Sequence, residues 1–473
     1  MKKQGFNPFL PSWEYIPDGE PHVFGDRVYV YGSHDRFNGY AFCMNDYVCY
    51  SAHITDLTDW KYEGIIYGRS DDPKNRDGEM CLYAPDVTRG PDGRYYLYYV
   101  LDALKIVSVA VSDTPAGKYE FYGYVHYDDG TLLGEKDSDE PQFDPGVLVE
   151  DNKVYMYTGA CPYGMKERTG AMVTVLNTDM LTVQAPPRTI IPSQPYSSGT
   201  GFEGNEYFEA ASIRKIKGRY YFIYSTIHCH DLCYAISDSP VQGFQFSGTI
   251  ISNTDRGIDT YKEADRPMAF DDNNHGSVEC INDKWYIFYH RHTNGNSFSR
   301  QACLEPITIL DDGTIPQVEI TSCGPNSGPL KGTGFYSSYL ACNIYCNATE
   351  SVGLSVPGKK RDARFPYLTQ DGKDGDEVLG YVANLDEGSG VGFKYFDCNN
   401  STVTDIQVRG WCEGEFVIMT KPDGDIIGSI PVKKSNEWKS YQADIKIPDG
   451  IQSLYFQYRG YGCASFGGFT LHQ

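Results

Sequence analysis

The chain reads Asp92-Gly93-Arg94-Tyr95-Tyr96-Leu97-Tyr98 at one of five places where a tight turn leads into alternating aromatic and aliphatic residues. The Gly and Asp residues favour a hairpin turn, and the alternation is typical of a half-buried β-strand. When the five copies are aligned on one tyrosine of each, the successive spacings are 67, 59, 66 and 65 residues. The aligned residues are Tyr29, Tyr96, Tyr155, Tyr221 and Tyr286.

This repeat predicts an all-β fold. A unit of roughly 60–65 residues can hold four short strands, and radial repetition of four-stranded sheets builds a propeller. Long amphipathic helical patterns are absent from the sequence. Five units therefore predict a five-bladed β-propeller over about residues 7–315, while the alternative is a β-sandwich whose spacings coincide by chance.

The pattern changes after about residue 310. Residues 322–332 are rich in Gly, Pro and Ser, which is typical of a linker. From about residue 335 the chain shows short alternating runs, such as residues 391–396 and 453–458, without the tyrosine-rich repeat. We therefore predict a propeller in residues 1–320, a linker in 321–334 and a jelly-roll-like β-sandwich in 335–473.

The charge of the chain limits its partners. With 63 acidic and 41 basic residues the net charge is −22, which disfavours binding to a polyanion such as nucleic acid and is compatible with a neutral polysaccharide fragment. No apolar run reaches the ~18 residues of a membrane span, and no run of signal-peptide length follows Lys3. The 14 scattered cysteines suit reduced, buried thiols, so a cytoplasmic location is expected, while the oligomeric state is left open.

Three carboxylate positions lie beside apolar residues, where burial can shift a pKa. Asp18 and Glu20 precede the first repeated strand, Asp86 precedes the second, and Glu209 precedes the fourth. In a propeller the strand before the repeated one is the innermost, so these residues are predicted to meet on the axis. Asp18 could alternatively be a turn former before Gly19, and Asp86 a cap after Pro85.

Over residues 7–315 the chain resembles glycoside hydrolase family 43. Members of that family are five-bladed propellers that hydrolyse β-xylosides and α-L-arabinofuranosides with inversion. The resemblance is carried by Asn7-Pro8, Glu20-Pro21-His22-Val23-Phe24, Tyr29-Val30-Tyr31-Gly32-Ser33-His34-Asp35, Tyr83-Ala84-Pro85-Asp86-Val87, Phe143-Asp144-Pro145-Gly146, Phe208-Glu209-Ala210 and His275-Gly276-Ser277.

The resemblance implies the catalytic roles. Glu209 matches the general acid, and Asp86 matches an aspartate that orients this acid and raises its pKa. The general base of the family lies in an Asp-Pro step, which falls on Glu20-Pro21 when the register has no gap, so Glu20 is favoured. A two-residue insertion before the strand would give this role to Asp18 instead.

The resemblance also implies substrate contacts for His34, Phe143, Asp144, His275 and Arg291. His275 resembles a histidine of the central channel that is associated with a calcium ion, held through water, or with a water cluster. No other cofactor is required by the resemblance.

These residues predict an exo-acting hydrolase that releases xylose or L-arabinofuranose from short plant-cell-wall oligosaccharides. An endo-arabinanase and a non-catalytic sugar-binding protein are the alternatives. The C-terminal region resembles a family 6 carbohydrate-binding module, in which Trp411, Trp438 and Tyr461 either stack on sugar or pack within the domain.

Overall fold

A computed structural model describes residues 3–162, 165–346 and 365–473 of the chain. Within these residues the regular structure is almost entirely β-strand, and none of the helices has the length and apolarity needed to cross a membrane. The helices are single 3₁₀ turns at Arg69–Asp71, Gln194–Tyr196, Gly324–Asn326 and Ser338–Leu340.

Five antiparallel sheets, blades 1 to 5, follow one another along the first two-thirds of the chain. Blade 1 contains β1 Glu20–Phe24, β2 Arg27–Tyr31, β3 Tyr47–His53 and β4 Asp56–Tyr67, and blade 2 contains β5 Leu82–Arg89, β6 Tyr95–Leu101, β7 Ser108–Ser112 and β8 Glu120–Tyr124. Blade 3 contains β9 Gly146–Glu150, β10 Lys153–Thr158, β11 Gly170–Leu176 and β12 Val183–Pro192. Blade 4 contains β13 Tyr207–Ile216, β14 Arg219–Thr226, β15 Asp231–Ser237 and β16 Gln245–Ser252, and blade 5 contains β17 Val278–Ile281, β18 Lys284–His292 and β19 Arg300–Ile307.

The five copies of the sequence repeat are the second strands of the five blades, namely β2, β6, β10, β14 and β18. The predicted five-bladed propeller is therefore confirmed. Each second strand pairs antiparallel with the first and third strands of its blade, so each unit of the repeat is one blade.

Tyrosines of the repeat join neighbouring blades. Tyr31, Tyr98 and Tyr157 occupy the same position in three copies, and each hydroxyl donates a hydrogen bond to a carbonyl between the third and fourth strands of the next blade. The acceptors are the carbonyl oxygens of Pro115, Met180 and Pro240, at 2.7, 2.6 and 2.8 Å. A buried tyrosine thus fills the space between two sheets with its ring and satisfies its hydroxyl on the neighbour, which explains why the repeat is rich in this residue.

The N-terminal segment closes the ring at blade 5, which has three strands. The side-chain amide of Asn7 takes the place of a backbone peptide group of a neighbouring strand. Its Oδ1 accepts the Leu304 N–H at 3.0 Å, and its Nδ2 donates to the Leu304 carbonyl at 2.7 Å. The Phe9 N–H then donates to the Ala302 carbonyl at 3.2 Å. These bonds cover the free edge of β19 with chain that leads into blade 1.

The first strands of the blades surround the axis. Strand β1 contacts β5 and β17, and β9 contacts β5 and β13. Arg214 of β13 lies 3.5 Å from Glu279 of β17, which completes the ring of five strands. Just before β1 and β17, Gly19 and Gly276 form a parallel bridge, which aligns the starts of these strands at one end of the axis. Each residue along a first strand lies about 3.3 Å further from that end, so sequence position translates into depth on the axis.

The C-terminal domain is also formed of strands. They are β20 Leu330–Lys331, β21 Gly334–Ser337, β22 Asn343–Tyr345, β23 Tyr367–Thr369, β24 Tyr381–Leu385, β25 Gly390–Cys398, β26 Thr402–Met419, β27 Ile426–Val432, β28 Ser435–Lys446 and β29 Gly450–His472. Strand β20 falls inside the segment predicted as a linker and pairs in parallel with β25. The segment 321–334 is therefore attached to the C-terminal sheet by strand pairing.

The long strands β26 and β29 pair along their whole length. Both bend at glycines with positive φ, Gly410 at +137° and Gly460 at +149°. A Cβ at either glycine would lie 2.5 or 2.4 Å from a carbonyl oxygen of the facing strand, so only glycine permits this approach. Residues from both halves of the sheet share one hydrophobic cluster, including Phe393 and Phe456, so the C-terminal β-rich sheet folds over a single core.

A fully buried lysine of the C-terminal domain contacts the propeller. The Lys394 ammonium lies 3.0 Å from Asp255 Oδ2 and 3.1 Å from Glu319 Oε2, and it sits 3.7 Å from the centre of the Tyr261 ring. The pKa of Lys394 is raised, because the charges of Asp255 and Glu319 outweigh burial, which acts in the opposite direction. A buried, fully paired cation of this kind fixes the two domains against each other, because separating them would leave its charge without a partner.

Candidate active site

A cavity of about 260 Å³ lies on the axis at the end where the first strands begin. Two buried carboxylates, one half-buried carboxylate, one guanidinium and one imidazole face it, together with aromatic side chains. The lining residues are Asp18, Phe42, Cys43, Tyr83, Ala84, Phe143, Asp144, Glu209, Asn273, His275 and Arg300.

Asp18 lies immediately before β1 and is held in a left-handed backbone conformation, with φ of +58°. Its Oδ1 accepts a hydrogen bond from Arg300 Nη1 at 3.0 Å, and its backbone N–H donates to His290 Nδ1 at 3.2 Å. Burial lowers the pKa of His290 well below its usual value, so the ring is neutral and Nδ1 can accept this bond. The Asp18 carboxylate is thus positioned from both its side chain and its backbone.

Arg300 belongs to β19 in blade 5 and connects two carboxylates of blade 1. Its Nε and Nη2 donate to the two oxygens of Asp35 at 2.9 and 3.0 Å, and its Nη1 donates to Asp18. Asp35 also accepts the backbone N–H of Cys43 at 2.9 Å. The planar fork of arginine suits this arrangement, because two of its nitrogens engage one carboxylate while the third reaches another.

Asp144 and Glu209 come from the starts of the innermost strands of blades 3 and 4. Asp144 has a φ of +45°, and its Oδ2 accepts the backbone N–H of Ala210 at 3.0 Å. Ala210, the residue after Glu209, also has a positive φ, at a register shift in the pairing of β13 with β14. Asp144 therefore holds the backbone that carries Glu209.

The pKa of Glu209 is raised to about 7, mainly by burial and then by the neighbouring charge of Asp18, whereas Arg300 acts in the opposite direction. The pKa of Asp144 is also raised well above its usual value, by burial first and then by the charges of Glu209 and Asp18. A pairwise charge interaction acts equally on both partners, so an ionised Asp144 disfavours ionisation of Glu209. The cavity therefore retains a proton on this pair of carboxyls near neutral pH.

His275 lies between two of the carboxylates. Its Nδ1 is 3.7 Å from Asp144 Oδ2 and 4.0 Å from Asp18 Oδ1. Burial lowers the pKa of His275, so its imidazole is neutral near neutral pH. A neutral imidazole offers one donor and one acceptor nitrogen to a ligand in the cavity.

The structure does not bring Glu20 and Asp86 to the cavity, although both were among the catalytic candidates. Glu20 follows Asp18 by two residues, and Asp86 follows the cavity residue Ala84 by two. Two residues of strand correspond to about 6.6 Å, so both carboxylates lie deeper on the axis. The like charge next to Glu209 that was expected from Asp86 comes instead from Asp18 and Asp144.

Among the predicted substrate contacts, Phe143, Asp144 and His275 line the cavity, whereas His34 and Arg291 are not among its lining residues. His34 Nδ1 lies 2.9 Å from the Asp46 carbonyl oxygen. Arg291 is buried in blade 5, where its Nε contacts Cys303 Sγ at 3.0 Å.

Arg300 and Asn273 were missed by the sequence analysis. Arg300 lies on β19 and Arg291 on β18, and the pairing of these strands places Arg300 opposite His292, next to Arg291. The sequence analysis had no local signal for Arg300, because its carboxylate partners Asp18 and Asp35 are distant in the chain. Asp35 was part of a quoted motif but received no role. In the structure it accepts two hydrogen bonds from Arg300.

The C-terminal domain reaches the cavity indirectly, through the loop between β2 and β3. Asp374 Oδ1 accepts the backbone N–H of Phe37 at 2.7 Å, and its Oδ2 accepts Asn45 Nδ2 at 3.1 Å. The residues between these two contacts include Phe42 and Cys43, which line the cavity. A carboxylate of the C-terminal domain therefore fixes both ends of a loop that forms one wall of the site.

Comparison with known proteins finds a matching family model and similar relatives. The family model "Glycosyl hydrolases family 43" matches residues 12–315. A xylosidase/arabinosidase of Thermoclostridium stercorarium is 61% identical over 471 residues, covering 100% of this chain and 99% of the relative. A xylosidase/arabinosidase of Bacteroides ovatus is 29% identical over 66% of this chain and 97% of the relative.

Solved structures share the fold. An arabinoxylan arabinofuranohydrolase of Bacillus subtilis, in complex with cellotetraose, aligns over 99% of this chain and 97% of its own length, with a TM-score of 0.53 and 18% identity. A β-xylosidase/α-arabinofuranosidase from a compost metagenome, in complex with xylotriose and in a calcium-free form, aligns over 66% of this chain and 97% of its own, with a TM-score of 0.51 and 26% identity.

Replacing Arg300 by lysine tests the dual contact of its guanidinium. One ammonium cannot hold both Asp18 and Asp35 in the observed geometry, and a displacement of Asp18 by about 1 Å is expected to lower kcat on an aryl glycoside on the order of 100-fold. Arg291→Lys is the matched control, because it also alters a buried arginine of blade 5. It is expected to lower the melting temperature while leaving kcat within a few-fold of wild type. Equal kcat losses in the two variants would contradict the placement of Arg300 in the site.

Proposed function

This chain belongs to glycosyl hydrolase family 43, and we propose that its axial cavity releases xylose or L-arabinofuranose from the ends of short neutral oligosaccharides with inversion. The observation that carries this proposal is the convergence of Asp18, Asp144 and Glu209 on one buried cavity. The relative with 61% identity, which covers nearly the same length, is named a xylosidase/arabinosidase. A volume of about 260 Å³ accommodates a single terminal sugar, which favours exo-action over cleavage within a chain.

Glu209 is the proposed general acid. A leaving-group oxygen must receive a proton as the glycosidic bond breaks, and a carboxyl with a pKa of about 7 still carries its proton near neutral pH. Burial is the main cause of the raised pKa, since the charged form loses its hydration. Glu209 donates its proton to the departing oxygen and becomes a carboxylate.

Asp18 is the proposed general base. It must be ionised to take a proton from water while that water attacks the anomeric carbon from the face opposite the leaving group. The hydrogen bond from the Arg300 guanidinium suits an ionised Asp18, and the left-handed backbone conformation fixes the direction of its carboxylate. The proton taken up by Asp18 and the proton given by Glu209 balance over one turnover.

Asp144 is proposed to position Glu209 and to keep it protonated. It acts through the Ala210 N–H and through charge repulsion with Glu209, which lets the pair of carboxyls keep one proton, and it takes no proton from the substrate. The sequence analysis predicted this role for Asp86. Asp144 supports it better, because it contacts the backbone next to Glu209.

Aromatic side chains are proposed to hold the sugar ring. Tyr83 and Phe143 meet edge to face, with ring centroids 5.7 Å apart, and Phe42 lies under the Arg300 guanidinium at 4.7 Å. Such faces suit the apolar side of a pentose, while Asn273 and His275 offer polar groups to its hydroxyls. The cavity thus fits an uncharged sugar.

We also propose that a calcium ion binds near His275. The buried carboxylates of Asp18 and Asp144 lie close to the neutral imidazole of His275, so the local donors and negative charge fit a cation held partly through water. A bound calcium would offset repulsion between these carboxylates. Hydrolysis by the proposed acid and base uses no organic cofactor.

A cytoplasmic location stays a prediction. Cys49, Cys233 and Cys303 are packed inside blades 1, 4 and 5 as small apolar side chains, and burial raises their thiol pKa values. Buried thiols of this kind are unreactive and suit a reducing compartment.

Sugar binding by the C-terminal domain also stays a prediction. The Trp411 and Tyr461 side chains are 67% and 85% exposed, so both are free to stack on a sugar. Trp438 is a weaker candidate, because Arg409 lies 4.5 Å from the centre of its ring and Tyr381 packs against its edge.

Product analysis on a panel of pentosides tests the proposed function. The substrates are aryl β-D-xylopyranoside, aryl α-L-arabinofuranoside, xylo-oligosaccharides and arabinan. We expect free pentose as the first product, with its anomeric configuration inverted in proton NMR spectra recorded before mutarotation. Oligomeric first products would indicate endo-action, and binding without turnover on every substrate would leave only a sugar-binding protein.

Leaving-group dependence separates the acid from the base. Glu209→Gln is expected to lower kcat/KM about 1,000-fold on oligosaccharides, within the range for a lost general acid, and far less on a dinitrophenyl glycoside, whose leaving group needs no proton. Asp18→Asn is expected to lower both rates alike. Glu150→Gln, a carboxamide substitution outside the cavity, serves as the control and should retain wild-type rates. Equal sensitivity of Glu209→Gln to both leaving groups would contradict its role as acid.

The pH profile tests the coupling between Asp144 and Glu209. Activity requires the protonated form of Glu209, so kcat/KM should fall as the pH rises through about 7. Asp144→Asn removes a neighbouring negative charge, so the pKa of Glu209 should decrease and the alkaline limb should move to lower pH. An unchanged limb in Asp144→Asn, measured with an aryl glycoside that needs acid assistance, would show that Asp144 has only a structural role.

A further inference from the structure

The loop between β2 and β3 forms one wall of the cavity, and we call residues 36–45 the wall loop. Its Phe42 ring lies under the Arg300 guanidinium at 4.7 Å, and Arg300 Nη2 donates to Cys43 Sγ at 3.4 Å. The Cys43 N–H in turn donates to Asp35 Oδ1 at 2.9 Å. The wall loop therefore packs against the guanidinium that also holds Asp18, so its position affects the proposed general base.

The wall loop contains no strand and is held mainly by side chains. Its ends make two backbone hydrogen bonds, from the Gly39 N–H to the Arg36 carbonyl at 2.8 Å and from the Asn45 N–H to the His34 carbonyl at 3.0 Å. A segment without strand pairing opens more easily than the sheets around it. Contacts from outside the loop are therefore needed to keep it against Arg300.

One carboxylate of the C-terminal domain joins both ends of the wall loop. Asp374 lies between β23 and β24 and is half-buried. Its Oδ1 accepts the Phe37 N–H at 2.7 Å, and its Oδ2 accepts Asn45 Nδ2 at 3.1 Å. A charged acceptor forms stronger hydrogen bonds than a neutral one, so Asp374 suits this place better than an amide would.

The orientation of the Asn45 amide is fixed on the side of the propeller. Its Oδ1 accepts Arg36 Nε at 3.1 Å, while its Nδ2 donates to the Asp35 carbonyl at 3.2 Å as well as to Asp374. The amide cannot turn over without losing both of these partners. Asn45 therefore presents a donor to the C-terminal domain, and only an acceptor fits opposite it.

The C-terminal domain also binds the connection between β18 and β19, which supports the wall loop from the other side. The Leu368 N–H of β23 donates to the Thr293 carbonyl at 2.7 Å. Further along the same connection, Phe298 meets Phe42 edge to face, with ring centroids 4.8 Å apart. The domain thus contacts both of the loops that meet beside Arg300.

We propose that Asp374 is a positioning residue for glycoside hydrolysis. Through this carboxylate the C-terminal domain holds the wall loop against Arg300, and Arg300 in turn holds Asp18 in the geometry of a general base. Asp374 touches neither the substrate nor the reacting atoms. The proposal rests on the proposed function, because the effect on rate requires Asp18 to act as the base. It gives the domain a part in catalysis that does not depend on sugar binding at its surface.

The variant Asp374→Asn, made in the full chain, tests this role. Its amide can still accept the Phe37 N–H but sets a donor against Asn45 Nδ2, so one end of the wall loop is released. A displacement smaller than 1 Å at Asp18 is expected, with kcat lowered about 10-fold. The loss should be the same on an oligosaccharide and on a dinitrophenyl glycoside, since the acid Glu209 is unaffected. A loss confined to KM, or to the oligosaccharide, would overturn the role.

A double variant tests the contact itself. Asn45→Asp alone brings two carboxylates together and is expected to lower kcat more than Asp374→Asn does. Asn45→Asp combined with Asp374→Asn exchanges donor and acceptor across the contact, so kcat should recover above that of either single variant. A double variant with losses that simply add would contradict direct coupling between the two residues.

Two control variants separate the wall loop from general loosening of the domains. Asp371→Asn alters a carboxylate of the same segment, one that accepts Arg409 at 2.6 and 3.0 Å within the C-terminal domain. Glu319→Gln weakens the other contact between the domains, at Lys394. Both are expected to keep wild-type kcat, although Glu319→Gln should lower the melting temperature. A loss of kcat in Glu319→Gln as large as that in Asp374→Asn would overturn the proposal.

Hydrogen–deuterium exchange provides a measurement that does not depend on turnover. Peptides covering residues 36–45 should exchange faster in Asp374→Asn than in the wild-type chain or in Asp371→Asn, while peptides of β13, which carry Glu209, should not change. Unchanged exchange in the wall loop would overturn the positioning role. Faster exchange in a chain that hydrolyses no pentoside would instead refute the proposed function, and with it the effect on rate.

Discussion

The buried contact of Arg300 with Asp18 and Asp35 is the interaction on which the rest of the structure depends. It connects the last blade to the first, as does the amide of Asn7 on the edge of β19, and it fixes a cavity carboxylate in the same geometry. All three charged groups are almost fully buried, so loss of one partner would leave an unpaired charge in a medium of low dielectric constant. The contact that joins the last blade to the first therefore also positions a carboxylate of the site.

The axis consists of two layers of charge on the same five strands. The upper layer holds Asp18, Asp144 and Glu209 around an open cavity. The lower layer holds Glu20, which is hydrogen-bonded to Arg214, and Asp86, which is hydrogen-bonded to His22. Each layer is buried, but only the upper one has room for a ligand the size of a sugar. The difference supports separate roles for Asp18 and Glu20, although they are only two residues apart in the chain.

The C-terminal domain supports the propeller by charge as well as by packing. Lys394 is inserted between Asp255 and Glu319, while Asp374 holds the loop that carries Phe42 and Cys43. The first contact anchors the domain and the second reaches toward the cavity from outside the ring. The domain is therefore part of the architecture that shapes the site, whatever its own binding properties.

The sequence alone determined the number of blades, because each blade repeats a turn and an alternating strand whose period depends only on neighbouring residues. It also placed Glu209 and Asp18 among the candidates, since both begin innermost strands beside apolar residues. It favoured Glu20 over Asp18 as the base and assigned the positioning role to Asp86, with Asp144 only as a substrate contact. Depth on the axis decides between these residues, because it changes by about 3.3 Å per residue and depends on how the strands are aligned around the ring. The sequence also could not identify Arg300, whose partners stand about 265 and 282 residues away in the chain. Only the closed ring decides these points, since it alone brings blade 5 against blade 1 and sets the relative depth of the five strands.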